Sequence, residues 1–221
     1  MENDTLRRAG IAGALGFLVL GLASGALAGS PPALDATAAT VRSYVNDHHG
    51  ALTVAGVLYV VAPLLLVPFF VALGQRVRKG WQGALVGFGV TTIALAIAGG
   101  VLQAALFQAG TLGNDDHTLL LLHRLAEMTF DIGPAVPSIG FLVVAAIALP
   151  TDRARWLSPA AAIVAVLTLV SVVLGASTSS GGPGPLGFAC FLLTVLWMAA
   201  ASLSVLRDPA GAEPAVSFAE A

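Results

Sequence analysis

Charge is scarce in this chain. Lys, Arg, Asp and Glu make up 10% of its 221 residues, where soluble domains carry about a quarter. The net charge is -2 and no run of like charges occurs, so nothing in the sequence could hold a polyanion such as nucleic acid. Cysteine is almost missing: Cys190 stands alone, which excludes an intramolecular disulfide and a cysteine-based metal site. No Ser-His-Asp order, nucleotide-binding glycine loop or HExxH helix is found. The Gly/Ser/Pro stretch from Ser177 to Pro185 has no lysine and reads as a flexible turn rather than a phosphate loop. No fixed-period repeat divides the chain, which reads as one domain.

What is abundant is apolar. Hydrophobic residues reach 57% and the mean hydropathy is +0.90. Crossing about 30 Å of hydrocarbon takes roughly 20 apolar residues. Six stretches approach that length, at about 9–28, 51–74, 81–107, 118–149, 157–175 and 186–206. The fold class expected is therefore all-α, a polytopic transmembrane helical bundle of six spans over residues 1–207. Residues 208–221, with Pro209, Gly211 and Pro214, read as a disordered cytoplasmic tail.

Positive charge falls on alternate connectors, as the positive-inside rule requires. Arg7 and Arg8, then Arg76, Arg78 and Lys79, then Arg153 and Arg155, then Arg207 mark the cytoplasmic side. Arg42 and Arg124 fall on the other side, with Asp35, Asp47, Asp115, Asp116, Glu127 and Asp131. Both termini are thus expected in the cytoplasm, with the bundle in the plasma (inner) membrane and the bilayer as its partner. The first stretch has a second reading. Arg7-Arg8, an apolar core and Ala26-Leu27-Ala28 before Gly29 also fit a secretory signal peptide, whose removal leaves five spans.

All four histidines, His48, His49, His117 and His123, lie on the outer side. With the carboxylates there they are candidate metal ligands, and His49 with His123 is a candidate haem pair. Against this stand plainer roles, a solvated His48-His49 pair before a span and a salt-bridge network of His123, Glu127 and Arg124. At 100° per residue, His123, Arg124, Glu127 and Asp131 fall within about 100° of one another on a helix, with Leu121, Leu125 and Met128 elsewhere. This stripe is the candidate polar cluster. Below it, Pro134 and Pro137 should interrupt the helix, and a broken helix beside a carboxylate is a known form of ion site. The plainer alternative makes Asp131 the cap of a helix starting near Ile132.

Other polar residues within spans include Thr92, Gly99 and Gln103, which share one face of the third, and Thr168, Ser171 and Thr194 in the fifth and sixth. They are expected to join helices by hydrogen bonds. Gly21 with Gly25, Gly25 with Gly29 and Gly83 with Gly87 match the small-residue packing motif. Asp35-Ala36-Thr37-Ala38, Phe130-Asp131-Ile132-Gly133 and Trp156-Leu157-Ser158-Pro159 together resemble a six-helix bacterial integral membrane protein family of unknown function, and Pro134 and Pro137 depart from its pattern. The resemblance implies a fold and no activity. The leading expectation is a structural or accessory membrane component, a non-enzyme, open to a membrane-protein partner or a second copy. A transporter using Asp131, Glu127 and Gln103 is the alternative, and an outer-face metal or haem enzyme on His49, His117, His123 and Glu127 the third. The cofactor is left unknown, with none strongly implied by the sequence.

Overall fold

The computed structural model describes residues 2–113, 115–149, 155–177 and 184–206. These residues are helical with short connections, and no strand occurs among them. In chain order the helices are α1 (Glu2–Ala28), α2 (Ala38–Asp47), α3 (His49–Val61), α4 (Leu66–Gly74), α5 (Gln82–Thr111), α6 (Asp116–Asp131), α7 (Ala135–Ala148), α8 (Leu157–Ser177) and α9 (Gly184–Ala201). A tight turn at Ala62–Leu65 joins α3 to α4, because Pro63 and Pro68 lack the amides that a continuous helix would use. A widened turn, Ser202–Leu206, continues α9. The expected tail from Asp208 to Ala221 lies outside the described residues, as does most of the Ser177 to Pro185 turn.

Five stretches are long and apolar enough to cross a membrane: Asp4–Ala28, His49–Gly74, Gln82–Thr111, Leu157–Gly175 and Leu186–Leu206. The expected fourth span is not one apolar helix. It consists of an amphipathic α6 and an apolar α7 of 14 residues, and the latter extends only about 21 Å at 1.5 Å per residue. The two pieces nevertheless follow α5 antiparallel along its length. Gln103 meets Glu127, a side chain at Gly133 would touch Leu95, one at Gly140 would strike Phe88, and the Arg78 amide donates to the Ala148 carbonyl. Asp131 is the last residue of α6, and the next helix opens at Pro134, so Asp131 does not cap a helix beginning at Ile132.

The helices close a ring. α1 packs on α3 and α4, α5 on α3, α4, α6 and α7, α8 on α7 and α9, and α9 returns to α1. The larger core holds Phe69, Phe70, Phe141, Leu142 and Trp197, and a smaller one lies under α2, with Val41, Val45, Leu52, Leu106, Phe107 and Leu119. The outer surface stays apolar: Val19 is 63% and Ile163 60% exposed, as expected where the solvent is lipid.

The glycines that let helices touch are not those of the motif. A side chain at Gly25, Gly29, Gly83 or Gly87 would meet nothing within 4 Å. Among the close approaches are Gly13, where a Cβ would lie 2.0 Å from the Leu65 carbonyl oxygen, and Gly89, where it would lie 2.3 Å from the Phe70 ring. The motif spacing finds pairs on one helix face but not whether a partner helix faces them.

Candidate functional site

The polar stripe lies at the end of the bundle that α2 covers, here called the capped end. Residues 29–37 run from α1 across this end, and Thr37 opens α2 by accepting a hydrogen bond from the Thr40 amide. Val41 and Val45, both fully buried, point down into the smaller core. Gly110 of α5 allows the fit, since a Cβ there would stand 2.7 Å from Val45.

Four side chains fasten this cap. The Tyr44 hydroxyl donates to the Ala28 carbonyl at 2.7 Å. His123 Nε2 lies 3.2 Å from the Ala33 carbonyl oxygen, and Arg124 Nε donates to the Leu34 carbonyl at a long 3.4 Å. Arg42 pairs with Asp116 at 2.9 Å, joining α2 to α6. Asp116 is largely exposed there, which limits the pair to about 1 kcal/mol or less. At the start of α6, Asp115 accepts from the Thr118 amide at 2.9 Å and its hydroxyl at 2.7 Å. These bonds hold its carboxyl below the usual carboxylate range, the backbone bond being the larger cause.

Deeper in, Glu127 is half-buried, and its Oε1 accepts from Gln103 Nε2 of α5 at 2.8 Å. Among the described residues neither His123 nor Arg124 forms an ion pair with Glu127, so the expected salt-bridge network is replaced by this amide–carboxyl bond. The Asp131 side chain lies outside what is described. His123 is 1% exposed, and its Nδ1 is buried with no hydrogen-bond partner.

The other histidines do not converge on it. His48, His49 and His117 are exposed. His48 Nδ1 meets the Tyr44 carbonyl at 3.0 Å, and its ring packs against Tyr44 at 5.3 Å. His49 and Gln108 edge an apolar groove of about 330 Å³ between α3 and α5, which neither His123 nor Glu127 lines. No group of three or more His, Cys, Asp or Glu among the described residues is placed to hold a metal ion.

No family model, curated protein or solved structure matches the chain. The resemblance to a six-helix family therefore rests on the three short sequence blocks alone.

Sequence reasoning passed over Tyr44, which anchors the cap beside Glu127. Burial, with the Glu127 charge adding to it, pushes its hydroxyl up to about 12 from an ordinary value near 10. A raised value means that the native state holds the proton more tightly than the unfolded chain. The stabilisation is thus complete below about pH 10 and is lost as pH rises towards 12. The chain has two tyrosines, Tyr44 and Tyr59. In a Tyr59→Phe background, tyrosinate absorbance should therefore rise near pH 12, and an ordinary titration near 10 would contradict the buried anchor.

Proposed function

We propose that the chain is a structural or accessory component of a membrane, built as six crossings with a tied cap on one end. The observation that supports this best is how its polar side chains are engaged. Tyr44, His123 and Arg124 hold the carbonyls of Ala28, Ala33 and Leu34, Arg42 holds Asp116, and Gln103 holds Glu127. Each contact fixes one part of the chain to another. The sixth crossing is supported by the passage of α6 and α7 along the length of α5. The orientation, with both termini in the cytoplasm of a bacterial inner membrane, rests on the basic residues. Arg76, Arg78 and Lys79 occupy the connection that meets the end of α7, away from α2.

Two measurements test this. A Lys79→Cys variant should react with a membrane-impermeant thiol reagent from the cytoplasmic face only, and a Ser43→Cys variant from the outer face only. Cys190 is buried and gives no background. Reversed labelling would overturn the orientation, and labelling of both from one face the second crossing. For the function, capture of the tagged protein from native membranes should return it with a constant membrane partner. Recovery alone, with measurable turnover, would sink the structural reading.

One observation favours a second reading, a small-solute or ion transporter. Glu127 is a half-buried carboxyl paired with Gln103 where the fourth crossing is interrupted, beside Asp131 at the last turn of α6. Intramembrane ionisable groups at broken helices commonly mark such pathways. Solute or proton flux into liposomes that Glu127→Gln abolishes, with the fold kept, would put this reading first.

A further inference from the structure

We propose that His123 is a proton-operated latch on the cap: when its imidazole takes up a second proton, the buried Nδ1–H and its charge destabilise the closed position and residues 29–47 lift from the capped end, carrying Ala33 away. The geometry carries this. A carbonyl oxygen only accepts, so the 3.2 Å contact with Ala33 makes Nε2 the N–H of the ring. The neutral imidazole then has a bare acceptor at Nδ1, buried and without a partner. A second proton could bind only there, creating an N–H donor with no acceptor in a ring that is 1% exposed. A buried donor left without an acceptor is costly, and a buried unpaired charge more so.

The Ala33 and Pro32 carbonyls favour the imidazolium, but burial, the largest effect, and the Arg124 charge oppose it. The packed elements supply Asp35 from the crossing segment, Arg42, Tyr44 and Asp47 from α2, and the neutral Gln103 from α5. Along α6 itself lie Asp116, His117, Arg124 and Glu127. Asp35, Asp47 and His117 are exposed, Asp116 is taken by Arg42 and Glu127 by Gln103. The charge that bears on the ring is that of Arg124, which repels an imidazolium. Lifting the cap gives Nδ1 water to bond with. The lifted state therefore binds the proton more readily, and linkage drives the cap open as pH falls. The closed cap is fully favoured above an ordinary imidazole value near 6.5 and weakens below it.

The test is amide hydrogen exchange of the full chain in lipid nanodiscs, corrected for the intrinsic pH dependence of exchange. Going from about pH 7.5 to about pH 5 should speed exchange across residues 29–47 at least about tenfold in the wild type, while α5 and α8 do not change. His123→Gln, whose amide donates to Ala33 but takes no proton, should stay slow at both values. His117→Gln, altered at an exposed histidine, should keep the wild-type response. Unchanged wild-type exchange, or an equal response in His123→Gln, overturns the proposal. A measurement needing no variant stands beside these: nitrogen NMR of the imidazole should show Nδ1 unprotonated at neutral pH, and a protonated Nδ1 would overturn the latch.

Discussion

Gly13→Val should lower the stability of the bundle by about 3 kcal/mol or more, while Gly83→Val should cost under about 1 kcal/mol. The two positions look alike in sequence. At Gly13, however, α1 approaches the tight turn of the second crossing so closely that a Cβ would lie 2.0 Å from the Leu65 carbonyl oxygen and 3.3 Å from Pro68 Cγ. The obstacle is backbone. No rotamer change relieves it, so α1 must move away and lose its packing on α4. At Gly83 a side chain would meet nothing within 4 Å. Denaturant titration of helical circular dichroism in detergent micelles reads both variants. Equal losses would mean that α1 does not pack as described.

Phe141→Ala should cost about 4 kcal/mol in the same assay. Phe141 is fully buried and stands in the middle of an aromatic chain. Phe69 meets Phe70 at 5.2 Å, Phe70 meets Phe141 at 5.0 Å and Phe141 meets Trp197 at 6.2 Å, linking α4, α7 and α9. Truncation opens a cavity at the junction and removes two ring contacts, each worth about 0.5–1.5 kcal/mol. Since lipid competes for apolar surface, helix association here depends on such close packing rather than on exclusion of water. Phe188→Ala, at a side chain 58% exposed on α9, should lie within about 0.5 kcal/mol of the wild type. A large loss there would place that face against a partner rather than lipid.

The helical class and the five helices long and apolar enough to cross a membrane were legible because an uncharged run of membrane length is seldom anything but a span. The broken fourth segment was legible through Pro134 and Pro137, but the register was not: proline shows where an amide is missing, and packing against α5 decides where each helix stops. The buried face of α5 was legible as well, since Thr92, Gly99 and Gln103 are all buried. Its chemistry was not. Gln103 does cross to a neighbour, and Thr168 and Ser171 of α8 bond Cys190 of α9, whereas Thr92, Thr194 and Ser138 donate to carbonyls one turn back on their own helices. A hydroxyl in an apolar helix always has that local partner within reach, so its presence does not predict an interhelical bond.

The cap was missed for a different reason. Residues 29–50 read as a loop because their charge and prolines dominate, yet Thr37 as a capping residue and Val41, Tyr44 and Val45 at helical spacing were there to be found. At the candidate site, sequence placed His123, Arg124 and Glu127 on one face, which α6 retains. That periodicity could not say which of them would be covered. Only the return of Ala33 and Leu34 across the stripe makes His123 an interior residue while leaving Arg124 exposed.

The interruption between α6 and α7 bears on how the chain enters a bilayer. An apolar helix of 14 residues is about 9 Å short of the hydrocarbon thickness, and Pro134 and Pro137 supply no amides at its start. Such a segment would partition poorly by itself. On the six-crossing reading α5, synthesised just before it and spanning 30 residues without a break, supplies the missing surface, so the pair would leave the insertion machinery as one hairpin. The close fit of Phe88 to Gly140 would then matter first during biogenesis, as the contact that retains a segment too short to stay on its own.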